Sequence, residues 1–150
     1  MKKTLALFMT LLVFISFIGC ATKSKDIDID QQYIKNNLAK FYEGTFRWKG
    51  NETTQDVSIK ITDIQIDNNY ITAWGEGKYN TDVVTKIDVK IKIDAESLHF
   101  EMWESNPDRD EGFITNGSHV GSISKDLYKI HAVWTTRDSG KQGILKLKAK

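Results

Sequence analysis

The sequence predicts an all-β domain: an eight-stranded antiparallel up-and-down meander, closing into a small barrel, with a short N-terminal helix. Three observations carry this reading. Over residues 86–94, Ile87, Val89, Ile91 and Ile93 alternate with positions that are all charged, the period of a half-buried antiparallel strand. Similar runs recur, separated by turn chemistry such as Lys49-Gly50-Asn51, Asp67-Asn68-Asn69 and Asp138-Ser139-Gly140. The connections are short. Only 105–112 and 137–142 leave slack for the crossovers of a Greek-key sandwich, so up-and-down order is preferred, and closure removes the sheet edges.

The first twenty residues differ in kind from the rest. Lys2 and Lys3 precede an apolar run from Leu5 to Ile18, interrupted only by Thr10 and Ser16. The run falls short of the ~20 residues that a membrane-spanning helix needs, and it matches the h-region of a signal peptide. It ends in Phe17-Ile18-Gly19-Cys20, which resembles the lipobox of bacterial lipoprotein precursors, with Phe17 where Leu is usual. The resemblance implies cleavage before Cys20 and lipidation of that residue, the single Cys of the chain. Several acyl chains anchor a protein stably where one does not. Ala21, rather than Asp, follows the Cys. By the same resemblance this favours the periplasmic face of the outer membrane in a Gram-negative cell. The expected organisation is a signal peptide at 1–19, lipidated Cys and tether at 20–30, and a β-barrel domain at 31–150.

Charge narrows the partners. The 150-residue chain has 21 Lys+Arg against 20 Asp+Glu. That balance gives no nucleic-acid footprint. Loss of Lys2 and Lys3 with the signal turns the net charge from +1 to −1, so no overall excess of basic charge holds the domain to anionic lipid. Membrane association is expected through the lipid anchor.

Residues 21–30 are mostly polar and read as the tether, with a reach of about 33 Å when extended. Asp30 can cap a short helix over 31–41, where Tyr33, Ile34, Leu38 and Phe41 share a face. Strands are expected near 41–48, 56–66, 70–79, 83–94, 97–104, 113–123, 127–136 and 143–149. In the second, the apolar phase slips from Val57/Ile59/Ile61 to Ile64/Ile66, which predicts a bulge at Thr62-Asp63. Phase assigns Tyr42, Phe46 and Trp48, Phe100 and Met102, Tyr128, Ile130, Ala132 and Trp134, and Leu145 and Leu147 to the interior. Tyr70/Thr72/Trp74 and Ile71/Ala73/Gly75 are rival inward faces. Trp103 is expected outside or near a rim.

The opening strand, Tyr42-Glu43-Gly44-Thr45-Phe46-Arg47-Trp48, resembles that of the lipocalin and avidin β-barrels, where a Gly precedes a Trp. The spacing here is Gly-x-x-x-Trp rather than Gly-x-Trp. The resemblance implies barrel architecture and no particular ligand. An eight-stranded barrel is just wide enough for its own side chains or for one small ligand, and Trp48, Trp74, Phe100 and Trp134 are the candidate ligand-binding residues.

Chemistry-bearing motifs are weak. His99, His119 and His131 have no metal-site spacing, and His99, Glu101 and His119 are expected to be solvated surface residues. Asn106-Pro107-Asp108-Arg109-Asp110-Glu111-Gly112 has alternating oxygen donors, but its Gly is one place late for a calcium loop. Glu101, Glu104 and Asp108 lie close in sequence without marking a carboxylate pair. The expectation is a non-enzymatic, membrane-anchored envelope lipoprotein with no cofactor or metal, binding a small apolar ligand or a protein partner. The alternative is an interaction or inhibitor protein with a solid core, acting through Trp103 and the 105–112 loop.

Overall fold

The computed structural model describes residues 29–150. The expected signal segment, Cys20 and the expected tether as far as residue 28 lie outside the described residues.

Asp30 caps helix α1, Gln31–Asn37, its carboxylate accepting from the Tyr33 N–H at 2.6 Å. The helix is shorter than the expected 31–41. Leu38 has already left the helical conformation, and the Lys40 carbonyl accepts from Ile61 N–H at 2.9 Å. The backbone there is committed to the sheet, which a helix cannot share.

Eight strands follow: β1 (Phe41–Trp48), β2 (Gln55–Asp67), β3 (Tyr70–Asn80), β4 (Val84–Asp94), β5 (His99–Ser105), β6 (Gly117–Ile123), β7 (Lys129–Thr136) and β8 (Gln142–Ala149). Each pairs antiparallel with the next, and β8 returns to β1, from Tyr42 opposite Ala149 to Trp48 opposite Gly143. The barrel is closed, as the meander predicted. The bulge falls where the phase slips: Ile61 opposes Gly75 and Asp63 opposes Trp74, leaving Thr62 as the extra residue. Its hydroxyl bonds the Trp74 carbonyl, and the apolar phase of β2 is restored on the far side. The expected 113–123 strand begins only at Gly117, because 106–116 is an irregular loop.

One end of the barrel is plugged. Ile34 and Leu38 join the core cluster there, alongside Tyr42, Leu98 and Leu127. Leu98 and Leu127 both have left-handed backbone (φ 57° and 56°) at the ends of the β4–β5 and β6–β7 turns. That conformation costs a non-glycine residue roughly 1–2 kcal/mol, and burying a leucine side chain stabilises by about 1.5–3 kcal/mol. Burial therefore outweighs strain, and leucine occupies a position where turn chemistry favours glycine. Tyr42 donates to the Leu127 carbonyl at 2.7 Å, fixing the second of these turns from inside.

The same turn overturns one expectation. Tyr128 was assigned to the interior with Ile130, Ala132 and Trp134, but it is 44% exposed while Leu127 is 1% exposed. The left-handed Leu127 rotates the chain by one side-chain position before β7 begins, and the Tyr128 N–H is held by Asp126. The remaining phase assignments agree with the structure, with Trp48 half-buried. For β3 the inward face is Ile71/Ala73/Gly75.

Candidate functional site

The opposite end of the barrel is built differently. Its interior positions carry rings and two polar groups. Phe46 sits at the centre, edge-to-face with Trp48 at 5.2 Å, Tyr79 at 5.8 Å and Trp134 at 6.4 Å. Trp48 and Trp134 meet perpendicular at 5.0 Å. Such T-shaped pairs place the positive edge of one ring on the negative face of the next.

Glycines make the space for these rings. A Cβ on Gly143 would lie 2.1 Å from Phe46 Cζ, and one on Gly117 would lie 2.7 Å from Trp134 Cε2. In the register, Gly143 lies between Trp48 and Trp134. Small residues at inward positions on β6 and β8 are the complement of large ones on β1 and β7.

Beneath the rings lies a polar trio. Glu104 follows Phe100 and Met102 in the inward phase of β5, and His119 faces inward from β6 opposite Met102. The Tyr79 hydroxyl donates to Glu104 Oε1 at 2.6 Å, and His119 Nε2 lies 3.0 Å from the same oxygen. The side chains of His119 and Glu104 are 1% and 4% exposed. With the carboxylate as acceptor, Nε2 carries a proton, and in the neutral tautomer Nδ1 is then an acceptor only. Nδ1 is buried and has no hydrogen-bond partner among the described residues. Burial, and then the neighbouring Glu104 charge, push the Tyr79 hydroxyl well above the usual tyrosine range. Tyr79 therefore stays a neutral donor.

The 106–116 loop folds over this mouth. Asn106 and Asp110 bond each other twice, at 2.9 and 3.0 Å, and the Phe113 N–H bonds the Asp110 carbonyl. Of the alternating oxygens that resemble a calcium loop, those of Asn106 and Asp110 are thus used in the turn itself, and Asp108 faces Lys86 at 3.6 Å. Gly112, at φ +80°, turns the chain so that the Phe113 ring tilts over Tyr79 at 5.5 Å. A recess of about 120 Å³ remains, bounded by Phe46, Trp48, Tyr79, Glu104, Phe113 and Trp134 among others.

The sequence-predicted candidates divide. Trp48 and Trp134 line the recess. Phe100 is fully buried one layer deeper, opposite Ile93 and Gly121. Trp74 lies on the outer face, opposite Asp63 and Lys90, and does not reach the interior. Trp103 is also outside, opposite Lys90. His99 stands on the outer face with Glu101 at 3.3 Å, so the two do not meet His119. The expectation that His119 is a solvated surface residue is wrong, because it is fully buried. Sequence reasoning also missed Glu104 and Tyr79. For Glu104 the signal was present: it continues the i, i+2 phase of Phe100 and Met102. For His119 the signal was the pair of flanking glycines, Gly117 and Gly121, which mark a strand face against which large groups pack.

No protein-family model matches the chain, and no curated protein matches it.

Proposed function

We propose that this protein is a lipid-anchored lipoprotein of the cell envelope whose barrel is a non-enzymatic binding module, taking a small ligand at its ring-lined mouth. The lipobox-like segment ending at Cys20 supports the anchor, and in a Gram-negative cell it favours the periplasmic face of the outer membrane. The chain enters the barrel at the helix-plugged end, opposite the ringed mouth. The observation that carries the binding reading is the recess itself. At about 120 Å³ it is too small for an acyl chain and approaches the ~150 Å³ of a cavity that binds benzene.

Two measurements test this. Cys20→Ser should abolish lipid labelling and detergent partitioning; labelling that persists rejects the anchor. The four Trp side chains give an internal control for binding. In buffer saturated with benzene, the indole N–H resonances of Trp48 and Trp134 should shift, while those of Trp74 and Trp103 on the outer face should not. If no small solute shifts Trp48 and Trp134 selectively, the recess is not a binding site.

A further inference from the structure

We infer that the recess is an aromatic box for a small organic cation, of the size and chemistry of a methylated ammonium group, with Glu104 as its counter-charge. This rests on the reading of the recess as a binding site and names the class of ligand it takes. Three observations on the same side chains lead there.

The first is the sign of the charge. Among the described residues, Glu104 is the only acidic or basic side chain bounding the recess other than His119, and neither Lys nor Arg contributes to its wall. His119 Nε2 lies 3.0 Å from Glu104 Oε1, to which its N–H can donate, and its Nδ1 has no acceptor among the described residues for a second proton. With a neutral imidazole, the form that leaves no second N–H without an acceptor, the trio carries the charge of one carboxylate. Burying such a charge is costly unless something of opposite sign completes it.

The second is the wall. Rings of Phe46, Trp48, Tyr79, Phe113 and Trp134 bound the recess from several directions, with Phe46–Trp48, Phe46–Tyr79 and Trp48–Trp134 near perpendicular. Aromatic faces are negative and attract a cation that has shed its water, and such cages are the usual receptors for quaternary ammonium groups. A neutral apolar ligand would gain the burial but leave Glu104 uncompensated.

The third concerns the alternatives. Tyr79 and His119 both bond Glu104 Oε1, which leaves Oε2 as the oxygen able to face a ligand. One carboxylate oxygen and one imidazole supply at most two of the four to eight ligands of a metal ion and leave the rest to water. Among the described residues no group of three His, Cys, Asp or Glu side chains is arranged to hold one. The volume of about 120 Å³ suits a headgroup of a few heavy atoms and excludes a large ring system.

The test uses choline and its uncharged isostere 3,3-dimethylbutan-1-ol, titrated into the full-length protein while the Trp48 and Trp134 indole resonances are followed. Choline should bind at least about tenfold more tightly than the isostere. In Glu104→Gln, whose amide oxygen can still accept from Tyr79 and His119, that preference should fall below about threefold. Trp48→Leu, which keeps the wall apolar but removes a π face, should weaken choline more than the isostere. Equal binding of choline and the isostere by the unaltered protein overturns the cation assignment and leaves the recess a general small-ligand site. If neither compound, nor benzene, shifts Trp48 and Trp134 selectively, both readings fall together. Because the decisive comparison is made on the unaltered protein, a variant that fails to fold does not rescue the proposal.

Discussion

Glu104 offers the sharpest test of how the mouth is held together. It accepts from Tyr79 at 2.6 Å and faces His119 Nε2 at 3.0 Å, with the histidine and glutamate side chains almost completely buried. A hydroxyl-to-carboxylate bond of that length is charge-assisted, worth about 1.5–3 kcal/mol. Tyr79→Phe removes the donor and should cost about that much. Glu104→Leu removes the acceptor and leaves two buried donors, the Tyr79 hydroxyl and the His119 N–H, without a partner. At about 1–3 kcal/mol each, less what the leucine recovers by burial, the loss should be roughly 2–5 kcal/mol. A domain with ~5–15 kcal/mol of stability can survive that, so both variants are measurable. In the Glu104→Leu background, Tyr79→Phe should cost nothing and recover part of the loss, because it deletes a buried hydroxyl that no longer has an acceptor. The coupling energy of the cycle should therefore be at least about 1.5–3 kcal/mol. Urea melts of the four proteins read it directly from the midpoints, provided the slopes agree. If the two single losses add to within ~0.5 kcal/mol of the double, the bond is present in geometry only and the reasoning is refuted.

Three further outcomes are expected. Gly121→Ala places a Cβ 2.0 Å from the His131 carbonyl oxygen and 2.6 Å from Ala132 Cα, both backbone of β7; in thermal melts it should lose more than about 3 kcal/mol. Gly50→Ala, with φ +86° but open space around it, should lose only about 1–2 kcal/mol, and equal losses would contradict the packing account. Burial pushes the Tyr42 hydroxyl up to about 12 and raises Tyr79 well above 10. The unfolded chain ionises these groups first, so their contribution is fully present below about pH 10 and is lost as pH rises toward 12 and beyond. Denaturant midpoints should fall over that window in the unaltered protein and less steeply in Tyr42→Phe; parallel curves would reject the assignment. Asp30→Ala deletes the cap on the Tyr33 N–H; it should cost about 1 kcal/mol and raise amide exchange within 31–37, and unchanged exchange there would show the cap to be idle.

Most of the barrel is legible in the sequence because half-buried strands write their register as period 2. Ile87 to Ile93 carry it without ambiguity, and even the bulge at Thr62 is visible as a slip of phase. Periodicity fails where the backbone leaves the strand conformation. At Leu127 a left-handed residue shifts the inward set by one, and Tyr128 was misplaced for that reason. At 113–116 apolar residues belong to a loop over the mouth instead of to a strand. The site was harder to read, because its polar members sit at inward positions that a hydrophobic pattern assigns to apolar residues. Trp48 and Trp134 were found because they are large and in phase. Glu104 and His119 were not, because pattern alone cannot tell an inward polar residue that has a partner across the barrel from an error in the phase. The partnership of Tyr79 with Glu104 joins residues 25 apart in sequence, and nothing local announces it.

The pairing of residue 42 with residue 149 has a kinetic consequence. A chain made or threaded from its N-terminus presents β1 early, but β1 gains its second neighbour only when β8 arrives. Until then β1 and β7 are both open edges, with unpaired N–H and C=O groups able to recruit another chain. Closure also requires the two ends of the domain to meet, a long-range contact that slows folding. The last step of folding is thus timed by the final strand. A chain interrupted before residue 142 keeps two adhesive edges.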